Sequence, residues 1–225
     1  MKVKVCGITS YEDARMALDL GTDALGFNFF RKSPRYIPPA HARDIIRRLP
    51  VFAVTVGLFV NEPESAKVIE SSAIAGVGII QLHGDETPEY CRELGRVRLP
   101  LIKAIRIGSD EIPASLNKFD KFDKLDEFHE CGVRACLFDA RDDALFGGTG
   151  KSFDWNLVKD IGHRHQIILA GGLRPDNVGR AIRTVQPYAL DVCSGVESAP
   201  GKKDVGKLME FMNEVRNVSQ SVNRS

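Results

Sequence analysis

Several things are missing from this chain, and each absence removes a class of function. No apolar run approaches the ~18 residues of a membrane-spanning helix, so no membrane partner is expected. Its 31 basic and 30 acidic side chains nearly cancel, which leaves no general electrostatic footprint for nucleic acid. There is no CxxC pair: Cys131 and Cys136 stand too far apart and no Cys/His pair follows, so neither zinc nor any other metal is expected. The five cysteines are an odd number scattered through the chain, which points to a reducing compartment and a cytoplasmic protein. The opening residues run directly into a strand-like segment, with no signal-peptide pattern expected before it. Gly150-Lys151-Ser152 imitates the end of a phosphate-binding P-loop, but the position for its first glycine is Leu145. That loop, GGTGKS, reads instead as a flexible segment able to close over a site.

What is present is an ordinary globular composition, 43% apolar and 27% charged over 225 residues, sized for one domain. Strand-like and helix-like segments alternate from end to end at βα spacing. Continuously apolar runs such as FAVTVGLFV (Phe52–Val60) are those of parallel strands covered on both faces. The pattern predicts a single (β/α)8 barrel over 1–218 with a frayed tail at 219–225; a doubly wound open sheet is the alternative. Helices are expected to begin at Pro63 and to cover Trp155–Ile161 and Lys203–Val218. A broken helix is expected over Ile112–Cys131, and Ser10 with Asp13 reads as a capping box.

Barrel active sites lie at the C-terminal ends of the strands, so polar residues there carry the functional signal. Cys6 ends the first strand, with Lys4 two positions back on the same face. Gln81 and His83 share a face at the end of the fourth, Asp139 ends the sixth, and Asp191 ends the eighth. For a lone cysteine, a small buried hydrophobe is the commoner role; a thiol and a carboxyl across one barrel mouth also make a base and an acid. The thiol, ordinarily near 8.5, then needs a positive neighbour, which Lys4 can supply. Two consecutive late strands end in small turns, Gly171-Gly172 and Ser194-Gly195, which expose backbone N–H groups suited to a phosphate. Arg35, in a basic loop after the second strand, has the fork geometry for a substrate carboxylate.

The stretches KVCGIT (Lys4–Thr9), KSPRYI (Lys32–Ile37), GLFVN (Gly57–Asn61), QLHGDE (Gln81–Glu86), LFDA (Leu137–Ala140), GGTGKSFDW (Gly147–Trp155), LAGGLRPDNV (Leu169–Val178) and LDVCSGVESAPGKKD (Leu190–Asp204) together resemble the phosphoribosylanthranilate isomerases of tryptophan biosynthesis. Only Ser109–Cys131 and the tail lack a signature. The resemblance implies a cofactor-free Amadori rearrangement of a small phosphosugar substrate. It implies Asp139 as general acid, Cys6 as general base, and Arg35 on the anthranilate carboxylate. Asp191 would meet the sugar hydroxyls, His83 would line the site, and amides at Gly171, Gly172, Ser194 and Gly195 would hold the phosphate. The histidine-pathway isomerase of the same fold is a rival, expected to carry aspartate where this chain has Cys6. A phosphosugar-binding barrel without catalysis is a second. Either a monomer or a homodimer is compatible with the sequence.

Overall fold

The computed structural model describes residues 1–96, 98–108, 121–140, 153–159, 161 and 166–222. Eight parallel strands close into a barrel in sequence order: β1 Lys2–Cys6, β2 Ala24–Asn28, β3 Val54–Phe59, β4 Ile79–Leu82, β5 Leu101–Ile107, β6 Val133–Ala140, β7 Ile167–Leu169 and β8 Ala189–Val192. Closure is direct, with Lys4 opposite Asp191 and Val5 opposite Val192. That pairing replaces the open-sheet alternative. The helices are α1 Tyr11–Asp19, α2 Pro39–Ile46, α3 Ser65–Ala75, α4 Pro88–Leu94, α5 Lys121–Glu130, α6 Val178–Val185 and α7 Val205–Val222.

Strand periodicity divides the side chains into two layers. Val3, Val5, Leu25, Phe27, Ile80 and Leu82 point outward into the core under the helices. Each large apolar side chain fully buried there contributes about 1.5–3 kcal/mol. The opposite parity fills the lumen with Ile79, Ile102, Ala104, Ala135, Leu137, Ile168, Ala170 and Ala189. Two residues further along the same faces, the apolar filling becomes polar: Ile79 leads to Gln81 and His83, Leu137 to Asp139, and Ala189 to Asp191. Because all eight strands are parallel, these residues rise to one end of the barrel. A plugged lower lumen and a polar mouth follow from that single alternation.

Four local expectations need correction. Helix α3 starts at Ser65 behind Glu64 rather than at Pro63, with no side-chain cap. The segment read as a sixth helix forms a 3-10 turn, Trp155–Leu157, because the Asp154 carboxylate accepts from the Asn156 N–H and ties the backbone into a tight turn. Ser10 does cap α1 by accepting from the Asp13 N–H, but the Asp13 carboxylate accepts from the distant Lys203 N–H. It therefore ties the start of α1 to the segment between β8 and α7. The polar stretch after β8 is built, with a 3-10 turn at Ser194–Val196 and a small hairpin of β9 Glu197–Ala199 and β10 Lys202–Lys203, and α7 starts after it, at Val205. Of the broken helix expected over Ile112–Cys131, α5 is the described part; residues 109–120 lie outside the described residues. Helix α7 continues through 219–222.

Candidate active site

Cys6 ends β1 and is buried with Leu58 and Val60, the half-buried Phe30 and Cys193 packing against them. Its sulfur fits because β2 has Gly26 alongside: a Cβ there would come within 2.8 Å of Cys6 Sγ and 3.1 Å of Lys4 Cε. Burial by itself raises a thiol, and Cys91 and Cys136, buried away from the mouth, are pushed up to about 12 by it. Cys6 goes the other way. A hydrogen bond from the Cys193 thiol is the main cause holding it well below the ordinary thiol value, with help from the charges of Lys4 and Lys203. Cys193, half-buried, is pushed well up by its hydrogen bond with Cys6 and keeps its proton; its thiol also lies 3.9 Å from Glu197 Oε1.

The charges around this thiol form two clusters, Lys4 with Asp191, and Lys203 and Arg35 with Glu197. Lys4 Nζ donates to both oxygens of Asp191 at 2.9 Å. Burial works against the Lys4 charge, but Asp191 and Cys6 more than offset it. Burial also pushes the Asp191 carboxyl up to about 7, against the pull of Lys4. Lys203 Nζ donates to the Cys6 carbonyl at 2.5 Å and to Glu197 Oε1 at 2.8 Å. Arg35 donates to the same carboxylate through Nε at 3.0 and 3.1 Å and Nη2 at 2.7 Å. Burial favours the neutral form of Glu197, yet Arg35 and Lys203 hold it below the usual carboxylate range.

The far side is built differently. Asp139 Oδ1 accepts from the Ala140 N–H at 2.8 Å, and Oδ2 lies 3.0 Å from His83 Nε2. His83 Nδ1 lies 2.8 Å from Gln81 Nε2. An amide NH2 can only donate, so Nδ1 accepts here and Nε2 carries the hydrogen that faces Asp139. The loop holding His83 is braced beneath: the Glu86 carboxylate accepts from the N–H groups of Asn61 and Gly84 and pairs with Lys103 Nζ at 3.1 Å.

Two glycine turns complete the mouth. Gly171 and Gly172 have φ of +83° and +61°, a region glycine enters without steric cost. A Cβ on Gly171 would meet the Ala140 nitrogen at 2.7 Å. The turn is pinned by Asn177, which donates to the Gly172 carbonyl and accepts from the Arg174 N–H, each at 2.8 Å. Gly195 is glycine chiefly because the two turns touch: its Cβ would fall 1.9 Å from the Leu173 carbonyl oxygen. No acceptor among the described residues takes the N–H of Gly171, Gly172, Ser194 or Gly195.

The structure thus brings Cys6, His83, Asp139 and Asp191, all buried, to one end of the barrel, with the four turn residues beside them. Arg35 is there too, already engaged by Glu197. The loop GGTGKS read as a closing segment lies outside the described residues. Sequence reasoning missed Cys193, Glu197 and Lys203. All three belong to the stretch Leu190–Asp204, where a glutamate and two lysines within a few residues of a buried strand end were the available signal.

The family described as N-(5'phosphoribosyl)anthranilate (PRA) isomerase matches residues 3–214. The N-(5'-phosphoribosyl)anthranilate isomerase of Trichlorobacter lovleyi is 47% identical over 218 residues, covering 96% of this chain and 98% of that protein. A crystal structure of monomers generated from the dimeric enzyme of Thermotoga maritima superposes with a TM-score of 0.80 at 36% identity, covering 96% and 99% of the two chains. A further structure of such an isomerase, in complex with reduced 1-(o-carboxyphenylamino)-1-deoxyribulose 5-phosphate, gives 0.80 at 38% identity over the same shares.

Proposed function

The chain belongs to the N-(5'-phosphoribosyl)anthranilate isomerase family, and from that premise we propose how its own residues carry the reaction. The enzyme converts N-(5'-phosphoribosyl)anthranilate to 1-(o-carboxyphenylamino)-1-deoxyribulose 5-phosphate, an Amadori rearrangement in tryptophan biosynthesis. The matches over nearly the whole chain do not favour the histidine-pathway reading.

Asp139 is the general acid. Its proton goes to the furanose ring oxygen, the bond from C1′ to that oxygen breaks with its electrons moving to oxygen, and the nitrogen lone pair closes a C=N bond. Cys6 is the general base. Its thiolate takes the C2′ proton, the C–H electrons form C1′=C2′, and the iminium electrons return to nitrogen as an enolamine. Ketonisation then removes one proton from the 2′-hydroxyl and places one on C1′, so both groups end as they began. Every proton moved has a protein group to hold it, and we assign no cofactor. The observation that carries this reading is that the depressed thiol and the carboxyl stand at the same end of the barrel, on β1 and β6, in surroundings of opposite kind.

Asp191 meets the sugar hydroxyls and His83 lines the site. The N–H groups of Gly171, Gly172, Ser194 and Gly195 take the phosphate, an anion suited to converging backbone donors. Arg35 takes the anthranilate carboxylate, which thereby joins a network holding one carboxylate, Glu197, and two cations, Arg35 and Lys203. Residues 1–218 are one catalytic barrel. The odd cysteine count supports a cytoplasmic enzyme, and among the described residues no helix is long and apolar enough to cross a membrane. The assembly is a monomer or a homodimer, which sedimentation distinguishes.

Turnover, followed as loss of substrate fluorescence, tests the assignment. Cys6→Ser and Asp139→Asn should each lose about 10²–10⁴-fold in kcat while remaining folded. Near-normal turnover in either variant removes that residue from its role.

A further inference from the structure

Five cysteines are free in this chain, and two of them meet at the barrel mouth. Val5 stands opposite Val192 where β1 closes onto β8, so Cys6 and Cys193 follow as the next residues along two neighbouring stretches of backbone. Their thiols share one apolar pocket with Leu58, Val60 and Phe30, and Cys193 donates a hydrogen bond to the Cys6 sulfur. Gly7 makes room beside them: a Cβ there would lie 3.2 Å from Cys193 Sγ. Neighbouring strands run about 4.7–4.9 Å apart, inside the ~4.4–6.8 Å between α-carbons that a disulfide bridges. Joining the two sulfurs therefore asks for side-chain rotation and not for movement of the strands.

The thiols of the chain are unequal in reactivity. A peroxide attacks a thiolate in preference to a thiol. Cys6 is held toward the thiolate by Cys193, Lys4 and Lys203, whereas Cys91 and Cys136 are pushed up to about 12 by burial. Cys193 is half-buried and keeps its proton. A sulfur that must reach C2′ of a substrate opens onto the mouth, and hydrogen peroxide is smaller than that substrate. We propose that Cys6 and Cys193 form a modification site at which a hydroperoxide closes a reversible disulfide and silences the enzyme. In the first step the Cys6 thiolate attacks one peroxide oxygen, the O–O bond breaks, hydroxide leaves and Cys6 becomes a sulfenic acid. In the second, the Cys193 sulfur attacks the Cys6 sulfur, the S–O bond breaks, and the Cys193 proton leaves with the hydroxyl as water. The two sulfurs are oxidised by two electrons in all and the peroxide is reduced by two; a dithiol returns them by exchange. The silencing rests on Cys6 as general base, since a disulfide sulfur takes no proton from C2′. The disulfide itself does not rest on that reading.

The test treats the folded full-length protein with hydrogen peroxide, unfolds it in N-ethylmaleimide, and maps the digest by mass spectrometry. Two of the five cysteines should escape the label, and the peptides of Cys6 and Cys193 should appear joined, in proportion to the turnover lost. Dithiothreitol should reverse both changes. Cys6 found only as an oxidised acid, or joined to another cysteine or a second chain, overturns the proposal. Cys193→Ser gives a second readout, with each protein measured against its own untreated rate. Without a resolving thiol the sulfenic acid runs on to sulfinic acid, which dithiothreitol does not reduce. Brought to the same loss of turnover in excess peroxide, wild type should regain nearly all of its rate and Cys193→Ser only a small part. Equal recovery contradicts the proposal. Should that variant not fold, the joined peptides in wild type decide the matter. A complete disulfide with turnover retained removes Cys6 from the role of base, and the silencing with it. Turnover lost with no disulfide leaves the base in place and overturns the disulfide site alone.

Discussion

The two sides of the barrel mouth hold their titratable groups in opposite ways. Around Cys6, on β1 and β8, each described buried carboxylate has a cation on it: Lys4 on Asp191, and Arg35 with Lys203 on Glu197. Around Asp139, beside β4 and on β6, the described partners are one peptide N–H and a hydrogen-bonded chain of two side chains, His83 and Gln81. The cations favour a thiolate, the form a base needs. A carboxylate facing a relay of neutral donors and acceptors can take on and release a proton without stranding a buried cation, as an acid needs. Burial is common to both sides, so burial does not assign the roles; the neighbours do.

The comparison is most sharply broken by removing a charge on the base side and a polar group on the acid side. Lys4→Met leaves Asp191 buried without its cation and should cost about 3–5 kcal/mol of stability. His83→Gln removes no fixed charge and should cost nearer 1–3 kcal/mol. Chemical denaturation measures both, and equal losses would erase the distinction. A smaller test concerns the contact between the two glycine turns proposed to hold the phosphate. Gly195→Ala forces a methyl group onto the Leu173 carbonyl and should destabilise by about 1–3 kcal/mol. It should also raise the inhibition constant of inorganic phosphate, and unaltered phosphate inhibition would remove that turn from the phosphate site.

Much of this contrast was legible before any coordinates. Period-2 alternation and parallel strands place Cys6, His83, Asp139 and Asp191 at one rim, and the small residues Gly171-Gly172 and Ser194-Gly195 mark two turns after the last strands. Of the electrostatic half only Lys4 beside Cys6 was legible, for a physical reason. Cys193 reaches Cys6 only because β1 closes onto β8, and Glu197 meets Arg35 from 162 residues away. Closure of a barrel brings together residues whose partnership leaves no local pattern. Gly195 was read as part of a turn exposing N–H groups, and the passing Leu173 carbonyl is a further reason for glycine there. The 3-10 turn at Trp155–Leu157 was missed because one Asp side chain outweighed a helical-looking composition.

The state of the Cys6 sulfur is the most direct test of the account. It is measured as the ultraviolet thiolate band that wild type shows and Cys6→Ser lacks, as pH is lowered through the ordinary thiol value of about 8.5. Because its folded value lies below the unfolded one, this thiolate contributes stability that is fully present above about pH 8.5 and is lost as pH falls through the folded value. The band should therefore persist well below pH 8.5 in wild type, and Cys193→Ala should move its loss upward. A band that titrates at the ordinary thiol value in wild type, indifferent to Cys193, would contradict the claim that the neighbours of Cys6 make it the base.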